Sequence, residues 1–237
     1  MLRHANHLIG FGIQAVDGVI GRIEDFLFDD RSGKIRHLVI GLLGADEEER
    51  SVLVDPECVD AVDTERRTVA VSLSVDAVRS CPDAQTDPPV CRQGRSSGDC
   101  VWMGLPWGEG AGVLGVPIPI FLPVERPTCP QDAPAGDPHL RSLVELASYA
   151  VRAVDGWCGT VRGFLVDMER WAIREALVKT RIWVPCRKVL VPWRALKKIL
   201  CDRMEVQVDM TRSEVRRCPT YDPLARGNTD YGVGITG

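Results

Sequence analysis

The chain states much of its sequence twice. Leu2–Asp30 lies without gaps on Leu140–Met168, and 11 of the 29 positions are identical. The identities include Leu2/Leu140, Arg3/Arg141, Asp17/Asp155, Gly18/Gly156, Gly21/Gly159, Phe26/Phe164 and Asp29/Asp167. Val52-Leu53-Val54 returns as Val189-Leu190-Val191, and Ser80-Cys81-Pro82 is echoed by Arg217-Cys218-Pro219. A repeat of this kind limits the architecture before any propensity argument, because each copy must build a similar unit. In a chain of 237 residues the copies are about 80 residues each, enough for a modest core.

Each copy reads as short strands between tight turns. In the first, strands are expected at Ile13–Val16, Ile20–Phe28, Ile35–Leu42, Ser51–Val54, Val59–Val62 and Thr68–Leu73. Asp17-Gly18 is a hairpin signal of the type that needs positive φ at both positions. Ile20–Phe28 is apolar on both faces, which predicts a closed or doubly covered sheet. Pro56 suits the first position of a helical turn, where its missing N–H is no loss. Ser74 is placed to cap a single turn that ends before Pro82. The second copy predicts strands at Val161–Asp167, Ile173–Val178, Val189–Val191, Ile199–Cys201 and Glu205–Met210, then a capping box from Thr211 to Glu214. Many short, evenly spaced strands predict an all-β chain: two small closed β-barrels in tandem, joined by a long Pro/Gly-rich linker. The expected divisions are 1–82, a linker 83–138, a second barrel 139–223 and a flexible tail 224–237.

The linker holds 10 of the 16 prolines and 8 of the 22 glycines, a composition that fills a core poorly. Its apolar run Ala111–Val124 is too short and too broken by proline to span a membrane, and no stretch reaches the ~18 apolar residues a spanning helix needs. The opening Met1-Leu2-Arg3-His4 lacks the apolar core of an export signal, so a cytoplasmic location is expected. That compartment would keep the nine cysteines reduced. Charge divides sharply: residues 1–82 carry 9 Lys+Arg against 15 Asp+Glu, net −6, and residues 139–237 carry 17 against 11, net +6. Opposite halves can attract each other or a second copy, so a homodimer is one expectation.

The residues Asp17-Gly18-Val19-Ile20-Gly21-Arg22-Ile23-Glu24-Asp25-Phe26-Leu27-Phe28-Asp29, and later Lys188-Val189-Leu190-Val191-Pro192, carry a pattern that resembles the PRC-barrel family. The joint Asp137–Ser142 is similar to the entry into the second barrel of bacterial tandem PRC-barrel proteins. The family includes the cytoplasmic domain of the photosynthetic reaction-centre H subunit and the C-terminal domain of a ribosome-maturation factor. Both use the barrel to contact other proteins, so the resemblance implies an adaptor. It also leaves open a peripheral part in assembling a photosynthetic or membrane complex. The copies differ at Gly163, where the first has Asp25. The stretch Asp46-Glu47-Glu48-Glu49-Arg50 stands where the second has the aromatic turn Ile182-Trp183-Val184-Pro185.

No residue pattern marks an active site. Asp17, Gly18, Asp29, Asp155, Gly156 and Asp167 are turn formers, and Asp accepts backbone N–H bonds in such places. With no histidine beside them they do not make a general acid–base pair. No nucleophile elbow or phosphate loop appears, and neither catalytic residues nor a cofactor are expected. Cys91, Cys100 and Cys129, with His139, could hold zinc or sense redox state, but their spacings exceed the usual knuckle, and no metal is expected. Cys81 and Cys218 each precede a proline and read as core residues. The candidate interaction surface is basic and aromatic: Trp183, Arg187, Lys188, Trp193, Arg194, Lys197 and Lys198, near Arg181. Such residues can bind phosphates and stack bases. In an acidic chain of pI about 5.6 they fit a protein partner better than nucleic acid.

Overall fold

The computed structural model describes residues 2–43, 50–90, 92, 137–180 and 186–221. The linker cysteines, the Ala111–Val124 run, residues 44–49, Trp183 and the tail after Pro223 lie outside the described residues. The first half runs β1 (Leu2–His4), α1 (Ala5–Leu8), β2 (Gly12–Ala15), β3 (Gly18–Asp29), β4 (Ile35–Leu42), β5 (Ser51–Val54), a 3-10 turn Pro56–Cys58, β6 (Val59–Asp63), β7 (Thr68–Val71) and α2 (Val75–Arg79). The second follows the same order: β8 (Leu140–Ser142), α3 (Leu143–Leu146), β9 (Ala150–Ala153), β10 (Gly156–Asp167), β11 (Ala172–Thr180), β12 (Lys188–Pro192), a 3-10 turn Trp193–Ala195, β13 (Leu196–Leu200), a further 3-10 turn Cys201–Arg203, β14 (Glu205–Val208) and α4 (Arg212–Arg217).

These strands form two seven-stranded sheets with matching orders, β5-β4-β3-β2-β7-β6 and β12-β11-β10-β9-β14-β13. Neither path closes on itself by hydrogen bonding. The connection between its end strands is in each case a 3-10 turn entered through proline, Asp55-Pro56 or Pro192, which breaks the ladder. The seventh strand of each sheet comes from the other half. β1 lies antiparallel on β10, with Leu2 opposite Asp167 and His4 opposite Leu165. β8 lies antiparallel on β3, with Leu140 opposite Asp29 and Ser142 opposite Leu27. The two halves therefore exchange their leading strands, in one register.

This exchange explains why β3 and β10 are apolar on both faces. Phe26 and Phe28 point into the common core, while Leu27 packs outward with Val39 and Leu53 under Leu140 from β8. Leu165, Leu177 and Leu190 form the matching outer cluster in the second half, with Tyr221 packed on it. The main core is continuous across both halves and runs from Ala5 to Val215. Its join contains the Phe28 and Phe164 rings, 6.2 Å apart, and Trp193 standing edge-on to Phe28 at 5.4 Å. Backbone bonds cross the same join: Ile35 N–H donates to Trp171 O at 2.7 Å and Ile173 N–H to Gly33 O at 2.8 Å.

Cap and turn chemistry follows the sequence with one exception. Ser74 accepts from Ala77 N–H, and Thr211 with Glu214 forms the capping box. Neither Asp17 nor Gly18 takes the positive φ expected for that hairpin, and in the second half only Gly156 does, at 130°. The reason is a longer-range bond. Asp17 Oδ1 accepts Val75 N–H and Asp155 Oδ1 accepts Arg212 N–H, each at 2.7 Å, so the hairpin tip is shaped to hold the following helix. The two Cys-Pro echoes also have a task. Leu53 N–H donates to Pro82 O and Leu190 N–H to Pro219 O, covering the outer edges of β5 and β12.

Gly33 sits at φ 70°, and a Cβ there would come within 2.6 Å of the Trp193 indole nitrogen. Gly33→Ala combines left-handed strain with a clash at the join and should cost about 2 kcal/mol. A urea titration of the full chain measures it. A midpoint unchanged from wild type would show that the Trp193 ring is not held there.

Candidate interaction surface

The basic residues of the second half separate into two groups. Arg187 precedes β12 and Lys188 begins it, opposite Lys179 of β11. Arg194 lies in the 3-10 turn, and Lys197 and Lys198 lie on β13. All five are exposed. Lys197 Nζ reaches Asp209 at 3.0 Å on an open surface, where such a pair is readily exchanged. Trp193 is not part of an exposed platform. Its ring is half-buried against Phe28 and Gly33, so its faces serve the join between halves. Trp183 and Arg181 fall outside the described residues.

The matching elements of the first half carry the opposite sign. Asp55, Glu57, Asp60 and Asp63 are all exposed on the first 3-10 turn and β6. With a shift of 137 residues Glu57 occupies the place of Arg194, and Asp60 that of Lys197. Asp60 and Lys197 are also the extra residues of equivalent bulges, between Val59 and Ala61 and between Leu196 and Lys198. Burial pushes the Cys58 thiol upward, and the charges of Asp55, Glu57 and Asp60 push it further. An open groove of about 190 Å³ runs beside β6, lined by Arg3, Asp60, Val62, Met168 and Trp171 among others.

The repeated aspartates are structural pins. Asp29 Oδ1 accepts from Arg31 N–H, Ser32 N–H and the Ser32 hydroxyl. Burial alone would raise its carboxyl, but these bonds together with Arg36 hold it below its ordinary value. Asp167 shows the same balance, with Arg174 at 2.9 Å and Glu169 N–H outweighing burial. The Asp155 carboxyl is lowered by the Arg212 N–H.

The two joins between halves differ at the buried position of Asp25. Asp25 is 5% exposed and receives the exchanged segment: its Oδ2 accepts the Ser142 hydroxyl at 2.5 Å, and its Oδ1 accepts Val144 N–H at 3.1 Å and Phe26 N–H at 2.7 Å. Burial nevertheless raises its carboxyl above the ordinary range, against the pull of those bonds. Beside it, Asp30 holds Arg141 at 2.8 Å and His139 at 2.9 Å. At the other join Gly163 replaces Asp25, and a Cβ there would strike the His4 imidazole. The His4 ring stacks on His7 with centroids 4.8 Å apart. Sequence reasoning noted the Asp25/Gly163 difference but not what it does, since Ser142 and His4 are over a hundred residues away.

Among the described residues no group of three or more His, Cys, Asp or Glu side chains is arranged to hold a metal. Cys58, Cys81, Cys158, Cys186 and Cys218 are free thiols, and burial pushes Cys158 up to about 11. Cys81 and Cys218 pack on the core. Cys201 is held in a disulfide, which departs from the expectation of nine reduced cysteines, and Arg141 donates to its sulfur at 3.0 Å. No helix among the described residues is long and apolar enough to cross a membrane.

Residues 3–77 match the family model of the PRC-barrel domain. The chain contains a PRC-barrel domain. No curated protein matches the chain. The PRC-barrel domain begins at Arg3, inside β1, and β1 pairs with β10 of the second half. As a stretch of sequence the PRC-barrel domain is therefore continuous; as a sheet it gives away its first strand and takes β8 in return.

Proposed function

We propose that the protein is a non-enzymatic adaptor built from two PRC-type barrels in tandem, which binds protein partners through the outer surface of its strands. The end strands of each barrel would be linked in sequence by the 3-10 turn between them, with no ladder from one to the other. One observation carries the reading. The halves share a single core through exchanged strands, yet present charges of opposite sign at equivalent outer positions. A welded pair of unlike surfaces suits holding two partners at a fixed separation. The burial of Trp193 favours a protein over nucleic acid, because single-strand binders keep their aromatic rings free for stacking.

The proposed ligand of Arg187, Lys188, Arg194, Lys197 and Lys198 is an acidic protein surface. The test immobilises the full chain and the Arg187→Glu/Lys188→Glu variant and compares the proteins each retains from cell extract. A partner held by wild type and reduced about tenfold by the variant is expected. In parallel, fluorescence anisotropy with a labelled single-stranded oligonucleotide should show no binding up to about 10 µM protein at physiological salt. Tight, salt-sensitive oligonucleotide binding would replace the adaptor with a nucleic-acid protein.

A further inference from the structure

β6 and β13 are equivalent end strands, and each is paired on one side only, β6 with β7 and β13 with β14. Open edges of this kind can add a strand from another molecule, and proteins commonly guard them with charge. Here the guards differ in sign. Asp55, Glu57, Asp60 and Asp63 accompany β6, and Arg194, Lys197 and Lys198 accompany β13. Two β6 edges repel each other, and so do two β13 edges. Among the pairings of these two edges between copies, the charges favour β6 of one with β13 of the next. We propose that the protein self-associates head to tail, the acidic β6 edge of one copy docking on the basic β13 edge of a second.

An open groove runs beside Val59–Val62 of β6. The bulges at Asp60 and Lys197 turn these two charges out of register with the intramolecular ladder. Such an interface uses different patches on its two sides, so it does not close at a dimer unless the geometry forms a ring, and larger species grow with concentration. The proposal deepens the adaptor reading, on which it rests, by naming a second copy of this chain as the ligand of the β13 face. It predicts that homotypic and foreign partners compete for that face.

The test is sedimentation velocity on the purified full chain, from about 20 mM to about 500 mM salt at protein up to about 100 µM. Association is expected at low salt and should weaken at least about tenfold at high salt. Two variants make the assignment. Glu57→Lys/Asp60→Lys has two basic edges, and Arg194→Glu/Lys198→Glu has two acidic ones. All four sites are exposed, and circular dichroism checks that the folds are intact. Each variant alone should be monomeric, and an equal mixture should recover association. A wild type that stays monomeric at low salt overturns the proposal, as does a mixture that stays monomeric while wild type associates. Because only purified chain is present, either outcome leaves the capture of a foreign partner standing or falling separately.

Discussion

Asp25→Ala should lower the unfolding free energy of the full chain by about 3 kcal/mol, whereas Asp25→Asn should stay within about 1 kcal/mol of wild type. Asp25 is where the second half's leading segment is fastened to the first half's long strand. Alanine leaves the Ser142 hydroxyl and the Val144 and Phe26 N–H groups facing a buried void, and unsatisfied buried donors are costly. Asparagine keeps an oxygen for both N–H groups and an amide to meet Ser142. The two variants also differ in pH response. Burial raises the folded-state pKa of Asp25 above its unfolded value, so the protonated form is the better tolerated one. Its contribution is fully present below the ordinary carboxylate range and declines as pH rises through the elevated value. Wild type should therefore lose stability relative to Asp25→Asn as pH rises from about 4 towards neutral. Urea midpoints at three pH values measure both effects, and an Asp25→Ala cost below about 1 kcal/mol would remove the fastening role.

Much of this fold is legible in the residues. Ile35–Leu42 and Ser51–Val54 are mostly apolar stretches bounded by turn formers and become strands at those bounds. The caps at Ser74 and Thr211 are local chemistry and appear as such. The exchange of β1 and β8 is not legible, because three-residue strands carry no periodicity. Leu2-Arg3 and Leu140-Arg141 are also identical, so a strand of either half fits either sheet. What decides is the residue after them. His4 needs the space that Gly163 provides, and Ser142 needs the acceptor that Asp25 provides. Returning each strand to its own half would drive the His4 ring onto Asp25 and leave Ser142 beside a glycine. The departure of the second copy from the repeat pattern thus specifies the pairing. Trp193 teaches the same lesson for the surface: its neighbours are basic in sequence, but its ring belongs to a join whose other members, Phe28 and Gly33, lie in the other half.

The deepest expression of that join is Phe28, and Phe28→Ala should cost about 4 kcal/mol. The side chain is fully buried, its ring centroid 6.2 Å from that of Phe164 and 5.4 Å from that of Trp193 in a T-shaped contact. Its neighbours are fixed by the exchanged strands on both sides, so the surrounding structure has little freedom to fill the space left behind. The effect should also be shared. Two independent barrels would unfold in two steps, with the mutation shifting only the one that contains it. A common core predicts one transition, followed identically by far-UV circular dichroism and by tryptophan fluorescence. Trp171 and Trp193 both belong to the second half and pack on the common core, while the substitution is in the first. If Phe28→Ala moves the fluorescence midpoint as far as the circular dichroism midpoint, the halves are one folding unit. If fluorescence keeps its wild-type midpoint while part of the circular dichroism signal melts early, the halves are separate folding units and the exchanged strands contribute little to holding them together.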